Sequence, residues 1–100
     1  MYRATTPTHI FTFPEEVNPQ IATAIKITYK QCHEIVVEKN LGDFMISGQK
    51  IFVTLTQEEL NKFSPDLAGV QIRVKMPNGS VLASQIIKIK VKQVLNAEVI

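Results

Sequence analysis

Apolar and polar residues alternate along most of this chain, in short runs cut by turn signals. His9-Ile10-Phe11-Thr12-Phe13 opens the pattern and Pro14 closes it. In the next run, Ile21, Thr23, Ile25, Ile27 and Tyr29 share one face, with Lys26, Thr28 and Lys30 on the other. That period of two is the mark of a half-buried strand. Ile35–Lys39, Phe44–Ile46 and Ile51–Leu55 read as three more strands, with a tight turn at Ser47-Gly48-Gln49-Lys50 before the last. Val70–Met76 alternates cleanly. Pro77-Asn78-Gly79-Ser80 then carries the Asn-Gly dipeptide of a two-residue hairpin, and a seventh strand follows from about Val81 to Val94. That hairpin register sets Gln85 against Ile72 on the inward face, so a β-bulge is expected near Ser84-Gln85 to restore the parity.

One stretch breaks the alternation. Thr56–Phe63 reads as about two helical turns: Thr56 and Glu59 have capping-box spacing, and Leu60 and Phe63 share a face. Ser64-Pro65-Asp66 ends it. About seven short strands with frequent turns predict an all-β fold, an antiparallel immunoglobulin-like β-sandwich with one short helix near residues 56–63. A small partly open barrel is the alternative. The expected organisation is one domain over residues 1–100, with an extended N-terminal arm at 1–7 and a C-terminal tail at 95–100.

Composition narrows the chemistry. The chain has 100 residues, 45% of them apolar, which is enough for a core without staples. A net charge of +2 is too small to imply a nucleic-acid partner by itself. A single cysteine, Cys32, rules out an intrachain disulfide. The N-terminal residues lack the apolar core of a signal peptide, and no run could span a bilayer as a helix, so the expectation is a chain made and kept in a cytosol, or leaving it by a route without a cleaved signal, with no membrane partner.

Candidate chemistry is sparse. Cys32 and His33 are strand neighbours or turn residues, and adjacent strand residues point to opposite faces, which is awkward for a nucleophile–base dyad. His9, His33 and Cys32 have none of the usual metal-ligand spacings. Glu15-Glu16 and Glu58-Glu59 read as solvated or capping acids. The expectation is no enzyme, no catalytic residue, no cofactor and no metal. A basic stripe stands out: Lys88, Lys90 and Lys92 alternate with apolar residues, and Arg73 and Lys75 lie on the preceding strand. The chain also closes on Val99-Ile100, two apolar residues where exposure is usual.

Several stretches together carry a resemblance: Arg3-x-Thr5-Thr6-Pro7-Thr8-His9-x-Phe11, Tyr29-x-Gln31, Leu55-Thr56-Gln57-Glu58-Glu59, Val70-x-Ile72-x-Val74, Gly79-x-x-x-Ala83-Ser84 and Val94-Leu95…Val99-Ile100. The chain resembles small structural proteins encoded in phages and prophages of Gram-positive bacteria. The resemblance implies a non-catalytic virion protein of the tail or baseplate that contacts other virion proteins or its own copies. The glycine-bearing turn of that pattern is replaced here by Cys32-His33-Glu34, which predicts a longer or differently shaped hairpin. Expected contact residues are Tyr2, Arg3, Thr5, Thr6, Pro7, Val99 and Ile100. The competing expectation is a carbohydrate- or nucleic-acid-binding module. It would use the face of Arg73, Lys75, Lys88, Lys90 and Lys92, or Phe52 as an outward aromatic platform. Nucleic acid is the less favoured partner, because no aromatics interleave the cations.

Overall fold

The computed structural model describes all 100 residues, Met1–Ile100. The chain is mostly β and forms two antiparallel sheets. The strands are β1 (Thr8–Thr12), β2 (Ala24–Gln31), β3 (Glu34–Asn40), β4 (Met45–Ser47), β5 (Lys50–Thr54), β6 (Leu67–Lys75), β7 (Val81–Ala83) and β8 (Ile87–Lys90). One sheet has the order β1-β5-β4. The other runs β3-β2-β6, with β7 and β8 sharing the far edge of β6. The inward residues of both sheets meet in one core. Ile25, Ile27 and Tyr29 of β2 and Val70, Ile72 and Val74 of β6 face Ile51, Val53 and Leu55, with Leu60 and Phe63 closing an end. Fully burying such a side chain contributes about 1.5–3 kcal/mol, so the strict alternation of β2 and β6 fixes which face turns inward.

The short helix α1 (Gln57–Leu60) is a single turn, not the two expected. Its capping box is complete: Thr56 Oγ1 accepts from the Glu59 N–H, and Glu59 Oε1 accepts from the Thr56 N–H. Beyond Leu60 the bonds shorten to Lys62 N–H to Glu59 O and Phe63 N–H to Leu60 O. The tighter winding still brings Phe63 into the core. At the other end of the chain's first loop, Ile21 does not extend β2. Asn18 caps a 3-10 turn at Pro19–Ile21, and this leaves Ile21 exposed.

The Asn-Gly hairpin has a three-residue loop, not two. Gly79 N–H bonds Met76 O, Met76 N–H bonds Ser80 O, and Gly79 sits at φ +87°. Pro77 explains it: a two-residue turn at Asn78-Gly79 would make Pro77 and Ser80 the closing pair, and Pro77 has no N–H to donate to Ser80 O, so Met76 closes the loop instead. Lys75 therefore pairs with Val81 and Arg73 with Ala83, while Val70 pairs with Ile87. The sum of paired numbers rises by one between these sets, so one extra residue lies in the return strand near Gln85, where a bulge was expected. Ser84 holds the break, its N–H bonding Ile72 O and its Oγ accepting from Ile72 N–H. The predicted Val81–Val94 strand is thereby split, and Ile87 and Ile89 come to the same side as Val70 and Ala68.

The Cys32-His33 hairpin is not longer. Gln31 pairs with Glu34 across a two-residue turn, with Cys32 at φ +51° and His33 at φ +69°. Two side-chain-bearing residues thus adopt the left-handed backbone that glycine usually supplies.

Candidate contact surfaces

The basic stripe becomes a face once the strands are in place. Lys26 and Lys30 of β2, Arg73 and Lys75 of β6, and Lys88 and Lys90 of β8 all point outward from the larger sheet, because Lys26 pairs with Arg73 and Lys30 and Lys88 both pair with Gly69. Lys26 and Lys30 are additions to the expected basic face. Their outward parity on β2 was legible, but nothing local said that β2 lies beside β6. Lys92 lies just beyond β8 and is engaged with the N-terminus. Its N–H bonds Met1 O, its carbonyl accepts from Arg3 N–H, and its Nζ lies 5.3 Å over the Tyr2 ring.

Within that face, cations outnumber acids. Glu38 takes up Lys26 at 3.0 Å. Lys30, Arg73, Lys75, Lys88 and Lys90 are exposed and have no ion pair. At the Gln31 end of β2 the face sinks into a concavity of about 470 Å³, lined by Lys30, Arg73 and Lys88 together with Ile35, Ile86 and Gly69. Gly69 forms the floor. A Cβ there would stand 3.2 Å from the Ile86 Cγ2, so the missing side chain lets Ile86 close in while the row Lys30–Gly69–Lys88 keeps a hollow centre. Ile35 and Ile86 are 59% and 63% exposed, so the hollow has aliphatic as well as cationic walls. No Phe, Tyr or Trp lines it; the one ring at its rim is the His33 imidazole.

Residues 1–7 lie against the chain's own C-terminal part. Tyr2 forms a parallel bridge with Lys92, Arg3 Nη2 donates to Asn61 O at 3.1 Å, and the backbone turns at Ala4, φ +55°. Thr5 Oγ1 donates to Tyr2 O, and Pro7 O accepts from Leu55 N–H, which sets the start of β1. Thr6 is exposed. Thus Tyr2, Arg3 and Pro7 join the start of the chain to Leu55, Asn61 and Lys92, none of which lines the cationic hollow, while Thr5 bonds only within the segment. The end of the chain lies along α1. The Gln57 amide bonds both Ile100 N–H and Ile100 O, while the side chains of Leu95, Val99 and Ile100 remain exposed.

Glutamine amides recur as backbone substitutes. Gln31, buried under the sheet end, donates to Ser64 O at 2.8 Å and accepts from Ser64 N–H at 2.7 Å. Gln49 donates to both Pro14 O and Val17 O, at 2.7 and 3.1 Å. A glutamine carries one donor pair and one acceptor, so it can replace a missing strand neighbour.

The titratable groups of the interior are structural in geometry. His9 Nδ1 and Tyr29 Oη are 2.6 Å apart, linking β1 to β2 across the two sheets. Burial lowers the His9 pKa, with a smaller contribution from the N-terminal charge, and burial raises that of Tyr29. Cys32 and His33 lie in the exposed turn, so Cys32, His33 and His9 do not come together. Glu59 is bound by Lys39 at 2.8 Å; burial pushes its carboxyl up, and the Lys39 and Thr56 hydrogen bonds with the Lys39 charge outweigh this and hold it down. Phe52 points outward on β5 between Ile10 and Met45, half-buried in their row. No family model, curated protein or solved structure matches the chain, and its functional reading rests on these surfaces.

Proposed function

We propose that this chain is a non-catalytic structural protein of a phage or prophage virion, acting through protein–protein contacts in tail or baseplate assembly. The observation that carries the reading is the amount of aliphatic surface left in water. Fourteen large apolar side chains are exposed, and eight of them fall in groups: Ile10 with Met45 on the outer face of the small sheet, Ile35 with Leu67 and Ile86 around the basic hollow, and Leu95, Val99 and Ile100 at the C-terminal end. Grouped exposed apolar residues rimmed by polar ones mark interaction surfaces. The two-layer antiparallel arrangement supports the immunoglobulin-like part of the reading, with one difference in strand order. In that topology the second strand accompanies the first, fourth and fifth, whereas β2 here lies between β3 and β6.

On this reading the protein is made in the host cytoplasm and ends in the particle. No helix is long and apolar enough to cross a membrane. The test is to purify particles from an induced culture and quantify this chain by mass spectrometry. It should band with the particles at a fixed ratio to the other virion proteins. Recovery in the soluble fraction alone, with none in the particles, overturns the proposal.

A further inference from the structure

The basic hollow has a fitting counterpart on the same molecule. Glu15 and Glu16 are adjacent, exposed, and without an ion pair. Their loop is held in place: Gln49 Nε2 bonds the carbonyls on both sides of the doublet, Pro14 O and Val17 O, and Phe13 N–H bonds Gln49 O. A presented acidic pair on a fixed loop loses little freedom on docking. The same stretch carries Pro14, exposed and apolar, which matches the aliphatic walls of Ile35 and Ile86, while Val17 packs against its own core and anchors the loop.

The doublet cannot reach the hollow of its own chain. Pro14 and Val17 line a seam with Val74 and Leu82, at the Lys75 end of β6, while Gly69 floors the hollow at the other end. Five residues of strand put these sites about 17 Å apart, and the doublet leaves from the small-sheet side whereas the hollow opens on the outer face of the large sheet. The geometry points to a second copy of this chain as the occupant: the Glu15-Glu16 loop of one molecule docks over Gly69 of the next, between Lys30 and Lys88, with Arg73 alongside. Donor and acceptor surfaces differ, so the contact is head-to-tail and propagates into a ring or a filament. This rests on the assembly reading above and names the partner for it. The hollow has aliphatic walls and no Phe, Tyr or Trp, with the His33 imidazole its one ring, and this favours a protein segment over a nucleic acid, whose successive bases would need several stacking platforms.

The test is sedimentation of the purified full chain over a concentration series, at low and at high salt. The wild type should exceed the monomer mass at low salt and return towards it when salt screens the exposed charges. Lys30→Glu with Lys88→Glu should abolish association, as should Glu15→Lys with Glu16→Lys in a separate protein. An equimolar mixture of the two variants should regain it, since each supplies a complementary pair for the other. All four positions are exposed, and unchanged melting curves would show that the variants fold. A wild type that stays monomeric at every concentration, variants that associate normally, or a mixture that stays monomeric each overturn the inference. So does a monomeric wild type that binds a DNA duplex through the same lysines. A monomer that is nonetheless found in particles removes this contact and leaves the assembly reading standing; a self-associating chain missing from particles does the reverse.

Discussion

The Cys32-His33 turn offers a direct test of how backbone conformation limits this fold. Both residues sit at left-handed φ, +51° and +69°, and both are exposed, so neither contributes packing that a substitution would remove. A side-chain-bearing residue in that region costs about 1–2 kcal/mol. Glycine at His33 relieves this and gives back roughly 0.5–1 kcal/mol through the freer unfolded chain. Asparagine at Cys32 tolerates the conformation better than cysteine does. The double substitution Cys32→Asn/His33→Gly should therefore stabilise by about 1 kcal/mol, and in a domain of this size each kcal/mol moves Tm by about 4–8 °C. The measurement is a thermal melt followed by circular dichroism, with urea unfolding as a second readout. Gly48→Ala is the internal control. Gly48 has φ +59°, and an added Cβ there meets nothing within 4 Å, so the change should cost about 1 kcal/mol through backbone strain alone. A double variant that melts at or below the wild type, or a neutral Gly48→Ala, refutes the reasoning.

Other expectations follow from the hydrogen bonds and charges. Gln31→Ala orphans the Ser64 N–H and carbonyl together and should cost about 2–4 kcal/mol in urea unfolding; a loss of about 0.5 kcal/mol, that of an ordinary surface change, refutes the pairing. Thr56→Ala removes the cap of α1 and should cost about 1 kcal/mol by the same measurement. The folded pKa of Glu59 is depressed, so its contribution is present above the ordinary carboxylate range and disappears as pH falls through the folded value. Lys39→Met should flatten that acid limb of the stability–pH curve, and an unchanged curve counts against the pair. His9 also has a depressed folded pKa, but as a base: the native state binds fewer protons than the unfolded state between the folded value and 6.5. Stability should thus rise with pH across that window, and His9→Gln should remove the slope.

The readable part of this protein was local. Strand alternation in β2 and β6 depends on residues two apart, and it set the inward faces correctly. The capping box depends on residues three apart, and Thr56 and Glu59 form it as spaced. The turn at Pro77–Ser80 was also legible in place, but its length was not, because Pro77 lacks the N–H that would close a two-residue Asn-Gly turn and Met76 supplies it one residue earlier. Likewise the Cys32-His33 turn keeps a glycine-type conformation without glycine, since the long β3–β2–β6 ladder fixes where the strands must return and the two turn residues accept the strain.

By itself, then, the sequence determined which residues of β2 and β6 face in and which face out, where the chain turns, and where its short α-helix is capped. The tertiary structure decided which strands are neighbours. That choice brings Lys26 and Lys30 beside Arg73 and Lys88, puts Gly69 beneath a hollow between lysines, and sends the Glu15-Glu16 loop to the opposite end. The physical reason is range. Alternation and capping are set by backbone geometry over two to four residues, whereas a surface is made by strands up to sixty residues apart in sequence, such as β2 and β8, whose pairing with β6 is chosen by the shared core beneath them.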